Sequence, residues 1–313
     1  MNNFADRLEQ KISQTGNPTV IGLDPVLEYI PQDIVDYFGK QCDDPVLSAS
    51  LAIYEFNKRL IDHVADIVPA VKPQLAYYEK YGSHGMRALQ RTIQYAGKAG
   101  MLVIADGKRN DIGSTADAYA SAWLGENLLP DDSSAPMFDA DALTVNAYLG
   151  LDGIKPFIAV CRKKGKGIFV LVRTSNPSAG DVQDLILSDG RTVYEAMAAK
   201  VAEWGDDLIG ACGYSSVGAV VGATWPLQAA KLRKLMPKSF ILVPGYGAQG
   251  ASADDAISSF SSDGRGAIVN ASRSIMLAWK TQQMAHGEFA IAARREALLM
   301  KAKLRQALEK RAK

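Results

Sequence analysis

The sequence contains few cysteines and few histidines, and this shortage excludes several kinds of site. Its three cysteines (Cys42, Cys161 and Cys212) are far apart and form no Cys-x-x-Cys pair, so neither a disulfide framework nor a zinc site is predicted. The three histidines lack His-x-x-x-His or His-Glu-x-x-His spacing, which argues against a histidine-based metal site. Gly-x-Ser-x-Gly and P-loop motifs are also missing, which argues against a serine hydrolase and a P-loop NTPase.

A charge excess and long hydrophobic runs are missing as well. The 313 residues include 35 Lys and Arg against 34 Asp and Glu, a net charge of +1, whereas nucleic-acid-binding domains are usually basic. No apolar stretch approaches the ~20 residues that span a bilayer, and residues 1–10 do not resemble a secretory signal. We therefore expect a cytoplasmic protein that binds neither nucleic acid nor membrane, which leaves a small anionic ligand open.

Short apolar runs recur along the chain, and each is followed by a polar or Gly/Pro cluster and then by a segment with helical spacing. Because the runs are almost continuously apolar, they predict strands buried on both faces, as in a parallel sheet. Repetition of strand and helix allows a doubly wound sheet or a (β/α)8 TIM barrel, and the count of eight favours the barrel. The runs are Thr19–Leu23, Ile67–Val71, Leu102–Ala105, Ala142–Val145, Ile168–Val172, Ala219–Gly222, Phe240–Val243 and Ala267–Val269.

The chain is interpreted as one α/β domain, because no Pro/Ser-rich linker interrupts it. Residues 1–280 would form the barrel, with the long intervals 24–66 and 173–217 as extra helices or loops at its rim. Residues 281–313 would form a basic C-terminal helix of the same domain. Such a helix is able to bind a membrane or an acidic partner, but packing on the barrel is the favoured interpretation. The packed side would carry Leu298, Leu304 and Leu308.

Polar residues follow most of the predicted strands. In a (β/α)8 barrel, the residues just after the strands line one mouth, where barrel enzymes have their active sites. Charges and amides at this mouth therefore predict a binding site. The predicted mouth residues are Asp24, Lys72, Asp106, Lys108, Asp111, Asn146, Thr174, Ser175, Gln249, Ser272 and Arg273.

The densest polar segment is Asp106–Ile112, directly after the third predicted strand. Residues two apart in an extended chain face the same way, so Asp106 and Lys108 should both face the mouth. Asp111 would lie in the turn or at the start of the next helix. The alternative, a surface loop with a helix cap at Asp111, is less favoured because a buried run precedes the segment.

A second dense region combines Val243–Gly250 with Ile268–Ser274. Its glycines match Gly-x-Gly-x-x-Gly, but a dinucleotide fingerprint follows the first strand of its domain, and these glycines follow the seventh. In barrels, the loops after strands seven and eight commonly form a phosphate site. We therefore predict a phosphomonoester site in which Gln249 and Arg273 donate hydrogen bonds to the phosphate.

Five segments together resemble orotidine 5′-phosphate decarboxylases, in particular the longer bacterial branch of that family. Matching motifs extend from Gly22 to Ile275, most of the chain. The resemblance implies a (β/α)8 homodimer that converts orotidine 5′-phosphate to UMP and CO2, the last step of de novo UMP biosynthesis, without cofactor or metal. The five segments are Asp106–Ile112 with Thr115, Thr144–Gly150, Thr174–Pro177, Val221–Thr224 and Pro244–Gly250.

The resemblance also implies roles for the matching residues. Lys108 would protonate C6 of the pyrimidine, Asp106 would lie beside the substrate carboxylate, and Asp111 and Thr115 would reach into the neighbouring subunit's site. Lys72 and Asp24 would bind ribose hydroxyls, Ser175 the pyrimidine, and Gln249 with Arg273 the phosphate. The expected catalytic residues are Lys72, Asp106, Lys108 and Asp111, and the expected substrate-binding residues are Asp24, Thr115, Asn146, Ser175, Pro244, Gln249, Ser272 and Arg273.

Two other functions share features of this sequence. A magnesium-dependent sugar-phosphate decarboxylase shares the Asp-x-Lys-x-x-Asp string, but it needs a further carboxylate after strand two, where this chain has Lys72. A non-catalytic nucleotide-phosphate-binding barrel predicts loss of the central charges, all of which are present. Two departures from the family pattern, Ser272 in place of Gly and Ala147 in place of Pro, concern only the shape of their loops.

Overall fold

Eight parallel strands close into a barrel in the computed structural model, which describes residues 3–247 and 250–311. Each strand pairs with its neighbour in this set, and β1 closes the ring against β8 through pairs such as Val20 with Asn270. The predicted (β/α)8 barrel is confirmed. The strands are β1 (Thr19–Leu23), β2 (Ala70–Pro73), β3 (Leu102–Arg109), β4 (Ala142–Val145), β5 (Gly167–Arg173), β6 (Ser215–Val221), β7 (Ser239–Val243) and β8 (Ala267–Ala271).

Helices cover the outside of the barrel and fill the two long intervals. Two-residue strands, Asn127–Leu128 and Ser134–Ala135, add an antiparallel hairpin outside it. The α-helices are α1 (Phe4–Thr15), α2 (Gln32–Gln41), α3 (Pro45–Val64), α4 (Ala76–Glu79), α5 (Gly82–Lys98), α6 (Gly113–Leu124), α7 (Lys155–Lys164), α8 (Gly180–Gln183), α9 (Val193–Gly205), α10 (Pro226–Leu235), α11 (Ala253–Ala256), α12 (Arg273–Met276), α13 (Ala278–Thr281) and α14 (Phe289–Arg311). Short 3-10 helices are Leu27–Tyr29, Leu151–Gly153, Pro177–Ala179, Asp206–Leu208, Ile257–Ser259 and His286–Glu288.

Local sequence explains where the longer helices begin. The Asp44 carboxylate accepts hydrogen bonds from the backbone of Val46 and Leu47, and Pro45 occupies the first turn, where its missing N–H costs nothing. At the start of α9, the Glu195 carboxylate accepts a hydrogen bond from the backbone N–H of Thr192. These caps divide the intervals 24–66 and 173–217 into helices and loops at the rim, as predicted.

The amino-terminal end of the barrel is closed by α1. Phe4 and Leu8 are buried against the inward side chains of the strands, and the Phe4 ring meets Phe169 edge to face at 5.8 Å. Gly167 makes room for this contact, because a Cβ there would lie 2.3 Å from the Phe4 ring. A solid plug at this end leaves the opposite, carboxyl end of the strands for a binding cavity.

The terminal helix α14 packs on the barrel, as favoured from the sequence, and its packed side includes Leu304 but not Leu298. Alanines and larger apolar residues such as Met300 and Leu304 are buried, and Phe289 stacks on Phe56 of α3 at 5.0 Å. Leu308 is partly buried, whereas Leu298 is 41% exposed, so the inclusion of Leu298 was wrong. Small alanines allow the helix to approach closely, and leucine spacing alone missed this. In the described part of the chain, no helix has both the length and the apolarity needed to cross a membrane.

Several predicted strand boundaries differ from the structure. The sixth strand starts at Ser215, four residues earlier than predicted, and the fifth, seventh and eighth strands are one or two residues longer than predicted. The second strand starts at Ala70, three residues later than predicted, and Lys72 lies within it. The third strand continues through Asp106 to Arg109. The predicted runs stopped at the first charged residue, but Lys72 and Asp106 are buried within their strands, where they neutralise one another.

Candidate active site

A cavity of about 630 Å³ opens at the carboxyl ends of the strands, a size that suits a small ligand. Apolar side chains from β5, β6 and β7 (Leu171, Val220 and Leu242) form part of its lining. Eight of the predicted site residues line it: Asp24, Lys72, Asp106, Lys108, Ser175, Pro244, Ser272 and Arg273. Gln249 lies outside the described residues.

A chain of alternating charges crosses one side of the cavity. Lys72 Nζ donates to Asp106 Oδ2 at 2.6 Å, and Lys108 Nζ donates to Asp106 Oδ1 at 2.7 Å. The side chains of Lys72 and Asp106 are only 5% and 10% exposed, whereas that of Lys108 is 44% exposed. Lys108 is therefore the member of the chain that a ligand meets directly.

Two neutral donors complete the shell of the Asp106 carboxylate. Thr144 Oγ1 donates to Oδ1 at 2.8 Å, and Gln74 Nε2 donates to Oδ2 at 3.1 Å. Each carboxylate oxygen thus accepts one hydrogen bond from an ammonium and one from an uncharged group. We call Lys72, Gln74, Asp106, Lys108 and Thr144 the charge cluster.

The electrostatics of the charge cluster keep its two buried members ionised. Burial alone would raise the pKa of Asp106, but the ammonium groups of Lys72 and Lys108 outweigh it and hold that pKa well below its usual range. Burial alone would lower the pKa of Lys72, but the carboxylates of Asp106 and Asp24 outweigh it and raise that pKa. A fixed array of charges is therefore present before any ligand binds.

The end of β3 is irregular where it carries these charges. Its pairing with β4 shifts between Ala105 and Arg109, and Lys108 has a φ of +48°, which is unusual for a residue other than glycine. The prediction that Asp106 and Lys108 both face the cavity agrees with their positions. The reason given for it, regular alternation along an extended strand, does not hold at Lys108.

Asp24 contributes a carboxylate that is not fully satisfied. It follows β1 directly, and its Oδ1 atom is buried without a hydrogen-bond partner within the described residues. A buried acceptor of this kind normally has a partner. Because Asp24 lines the cavity, a hydroxyl of a bound ligand is the natural donor.

The loops after β7 and β8 form the opposite side of the cavity. Gly245 and Gly247 have φ values of +98° and +70°, which glycine adopts without strain. Ser272 has a negative φ of −117°, so a serine fits where the family pattern has glycine. Its hydroxyl occupies space above Gly22, where a Cβ would lie 1.9 Å from Ser272 Oγ. Arg273 follows it and lines the cavity.

A second buried cation, Arg173 at the end of β5, supports the loop that follows this strand. Arg173 is 1% exposed, lies 4.3 Å from the Trp225 ring centroid, and donates to Gln183 Oε1 (3.3 Å) and Asp184 Oδ2 (3.1 Å). Gln183 Oε1 accepts from the backbone of Thr174, whose carbonyl accepts from Trp225 Nε1. We call Arg173, Gln183, Asp184 and Trp225 the β5 clamp. It fixes the backbone that presents Ser175 to the cavity.

Three predicted site residues lie outside the cavity of the single chain. Asp111 is partly exposed and its carboxylate accepts from the backbone of Ile112, while Thr115 is exposed on α6. Asn146 is also exposed, and its Oδ1 atom accepts from the backbone of Tyr148. These three side chains contribute nothing to the cavity within one chain.

Several lining residues were missed by the sequence reasoning. Gln74 is two residues after Lys72 and Asn270 is two before Ser272, so the two-residue period that linked Asp106 to Lys108 would have found them. Thr144 carried no such signal, because it resembles any β-branched strand residue. Gln183 carried no such signal, because it reaches the cavity from the rim. The missed lining residues are Tyr29, Gln74, Tyr77, Thr144, Gln183 and Asn270.

The described residues form no cluster of metal ligands. In the ranges 3–247 and 250–311, no three His, Cys, Asp or Glu side chains converge in a way that would hold a metal ion. At the end of β2, where the magnesium-dependent alternative needs a carboxylate, the Lys72 ammonium pairs with Asp106.

Comparison with known proteins places the chain among similar sequences and structures. The model of the orotidine 5′-phosphate decarboxylase / HUMPS family matches residues 45–286. The chain is 48% identical over 293 residues to the orotidine 5′-phosphate decarboxylase of Rhodopirellula baltica, covering 94% of this chain and 93% of the relative. It is 42% identical over 289 residues to that of Caldicellulosiruptor saccharolyticus, covering 92% and 93%. The structure of Leishmania donovani OMP decarboxylase matches with a TM-score of 0.70 and 29% identity, covering 96% and 99%. The chain therefore belongs to the orotidine 5′-phosphate decarboxylase family.

Proposed function

We propose that the chain decarboxylates orotidine 5′-phosphate to UMP and CO2, with Lys108 as the proton donor. The observation that carries this proposal is the charge cluster, in which a cavity-facing ammonium is held at 2.7 Å from a buried carboxylate. Family membership and the similar decarboxylases support the same reaction. This reaction forms UMP, so the enzyme would act in pyrimidine nucleotide synthesis.

The chemistry of the reaction explains why such a cluster is needed. Loss of CO2 from C6 leaves a carbanion that no adjacent carbonyl delocalises. A fixed positive charge beside C6 stabilises that carbanion. Because the charge is already in place, no reorganisation of the site is needed as the transition state forms. The Lys108 ammonium then transfers a proton to C6, which completes UMP.

Asp106 is proposed to have two effects on this step. It orients the Lys108 ammonium, since Oδ1 accepts from Nζ. It also places a negative charge next to the substrate carboxylate, and this repulsion is relieved when CO2 leaves. Lys72 balances the charge of Asp106 on its other oxygen, so the carboxylate stays ionised inside the barrel.

The rest of the cavity is proposed to bind the nucleotide. Asp24 would accept a hydrogen bond from a ribose hydroxyl, with Lys72 beside it, because its Oδ1 atom has no donor within the described residues. Ser175, held by the β5 clamp, would contact the pyrimidine. Arg273 would bind the phosphate, together with Pro244, Ser272 and the loop amides, and Gln249 keeps its predicted role there. Phosphate contacts of this kind contribute to the rate when they drive closure of the loops after β5 and β7.

A homodimer with shared active sites is part of the proposal. Asp111 and Thr115 lie outside the cavity of their own chain. Exposed apolar side chains follow Asp111 at Ile112 (55% exposed) and occur after β4 at Tyr148 (84% exposed). Exposed apolar groups of this size are typical of an interface. A second copy packed here would receive Asp111 and Thr115 at its own cavity. The role expected of Asn146 in binding and the cytoplasmic location stay predictions.

Mixing two inactive variants tests the shared site. Lys108→Ala and Asp111→Ala homodimers should each be nearly inactive. In a mixed dimer, one site combines an intact Lys108 with the partner's intact Asp111, so co-refolding should restore about a quarter of wild-type activity. If mixing restores nothing although mixed dimers form, Asp111 acts within its own chain.

The decisive test of the reaction follows the absorbance of orotidine 5′-phosphate with purified protein in EDTA. We expect substrate to disappear and UMP to accumulate with no added metal. Activity that EDTA removes and magnesium restores would favour the metal-dependent alternative. Binding of UMP without turnover would favour a non-catalytic nucleotide-phosphate-binding barrel.

A further inference from the structure

The bulge at the end of β3 lies opposite a single residue of β4. Ala105 pairs with Leu143 and Arg109 pairs with Val145, so Asp106, Gly107 and Lys108 share one partner position. That position is Thr144. A bulge of this kind changes the direction in which its side chains point, and such bulges are common beside active sites.

The Thr144 hydroxyl spans the bulge from one end to the other. The backbone N–H of Lys108 donates to Thr144 Oγ1 at 3.0 Å, and Thr144 Oγ1 donates to Asp106 Oδ1 at 2.8 Å. A hydroxyl has one proton and two acceptor sites, so these two bonds are compatible and fix its orientation. Thr144 is 1% exposed, which keeps water from replacing either bond.

The two groups that bond to the Thr144 hydroxyl, the Lys108 backbone and the Asp106 carboxylate, both depend on surrounding contacts for their positions. Lys108 has a φ of +48°, a backbone conformation that is strained for a residue with a Cβ and persists only when surrounding contacts enforce it. Asp106 Oδ1 is the oxygen that accepts from Lys108 Nζ. The same hydroxyl therefore fixes the backbone from which the Lys108 side chain departs and the carboxylate oxygen at which it ends.

We propose that Thr144 is a positioning residue for the decarboxylation: through these two hydrogen bonds it aims the Lys108 ammonium at the reacting carbon. The inference rests on the proposed role of Lys108. Thr144 itself makes no contact with the reacting atoms in this account. Its contribution should therefore appear in the rate of the chemical step and leave nucleotide binding nearly unchanged.

Thr144→Val and Thr144→Ser separate the hydroxyl from the side-chain shape. Valine keeps the shape and removes both hydrogen bonds, and we expect its kcat to fall about ten- to a hundredfold, the loss typical of a hydrogen bond to a charged group. Its KM and its Kd for UMP should stay within about threefold of wild type. Serine keeps the hydroxyl and should retain kcat within about threefold.

Thr19→Val is the matched control. Thr19 is also 1% exposed in a barrel strand, but its Oγ1 atom has no hydrogen-bond partner within the described residues. This variant should keep wild-type kcat and KM. Active-site titration with a tight-binding nucleotide corrects all rates for the fraction of folded protein.

Three results would overturn the proposal. A Thr144→Val kcat within twofold of wild type would show that the hydroxyl is dispensable. A Thr144→Ser variant as slow as Thr144→Val would show that the hydroxyl does not by itself support the rate. Equal losses of kcat and UMP affinity would indicate a general structural role. If the wild-type protein fails to turn over orotidine 5′-phosphate, the proposed function fails instead, and the two failures are distinguished.

Discussion

The Lys108–Asp106 pair of the charge cluster and the Arg173–Asp184 pair of the β5 clamp each have one buried partner, yet they are built for different purposes. In the charge cluster, the side chain of Lys108 is 44% exposed to the cavity while its partner Asp106 is buried. In the β5 clamp the order is reversed, since Arg173 is 1% exposed and Asp184 is 48% exposed. A buried ion pair by itself does not mark an active site; a cation that the pair holds toward a cavity does.

The partners of the two cations sharpen this difference. The Lys108 ammonium donates one hydrogen bond to the Asp106 carboxylate, and its exposed side faces the cavity, where a ligand can bind. Arg173 uses its guanidinium on Gln183, Asp184 and the Trp225 ring, all of which support the loop above it. We therefore expect changes in the charge cluster to alter the chemical step and changes in the β5 clamp to alter binding and stability.

Lys108→Ala should cause the largest loss of activity. Removing one preorganised donor typically costs ~2.7–4 kcal/mol, and a residue that also supplies the proton should cost more, so kcat should fall by more than about a thousandfold. Phosphate contacts are untouched, so UMP should still bind. Steady-state kinetics and UMP titration measure the two effects.

Lys200→Ala is the control for this variant, because Lys200 lies on the surface in an exposed pair with Glu203. Its activity should equal that of wild type. A Lys108→Ala variant within tenfold of wild type would remove Lys108 from the role of proton donor. The distinction between the charge cluster and the β5 clamp would then lose its basis.

Asp106→Asn should disrupt the charge cluster while keeping its shape. Two ammonium groups would lose their shared carboxylate, and breaking a buried pair in this way typically costs about 3–5 kcal/mol of stability. Urea unfolding of both proteins at pH 7 measures this difference. Activity should fall strongly as well, because Lys108 would no longer be aimed.

The pH dependence of the stability difference between wild type and Asp106→Asn tests whether the ionised Asp106 carboxylate causes that difference. The pKa of Asp106 is lowered in the folded state, so its contribution is complete above the pKa of an unfolded aspartate, about 3.9. It is lost as pH falls from there through the lowered folded-state pKa, by about 1.4 kcal/mol per unit. The stability gap between wild type and Asp106→Asn should thus be equal at pH 7 and 5 and smaller at pH 3. A gap that widens on acidification would contradict the ionised pair.

The sequence predicts the charge cluster far better than the β5 clamp, for a physical reason. Strand ends in a closed barrel converge, so a charge that follows a buried run is placed by the topology alone. Asp106, Lys108 and Lys72 were found in this way. Gln183 and Asp184 reach Arg173 from a rim segment whose path depends on packing, and no spacing rule connects them.

The bulge at Lys108 marks a second limit of sequence reasoning. A period of two placed Lys108 on the correct side of the barrel, but its position depends on a φ of +48° and on Thr144 across the sheet. Neither is visible in the order of residues, since Thr144 resembles any β-branched strand residue. Asp111 and Thr115 show a third limit, because their proposed site belongs to another copy of the chain.

Arg273→Ala tests the proposed phosphate site, which belongs to neither the charge cluster nor the β5 clamp. Removing the guanidinium that is proposed to bind the phosphate should raise KM and also lower kcat, because phosphate binding energy is used in the rate. Added guanidinium should restore part of the activity of the variant, and wild type should respond to phosphite when it acts on the nucleoside without phosphate. Equal activity of the wild type on orotidine and on orotidine 5′-phosphate would refute a phosphate site at this end of the cavity.

Arg173→Met should have the smallest effect of these variants. The informative result is whether it changes binding and stability or the chemical step. Methionine keeps the apolar stem against Trp225 and removes the hydrogen bonds to Gln183 and Asp184, while Asp184 is exposed enough to be hydrated. We expect the Tm to fall by a few degrees and KM to rise about three- to tenfold as the Thr174–Ser175 backbone loosens, with kcat nearly unchanged.

The control for the clamp is Arg162→Met, which removes an exposed pair with Asp207 and should change neither Tm nor KM. If Arg173→Met instead lowered kcat as much as Asp106→Asn at constant KM, the β5 clamp would act on the chemical step. Exposure toward the cavity would then fail as the feature that separates a catalytic cation from a structural one, because Arg173 has almost none.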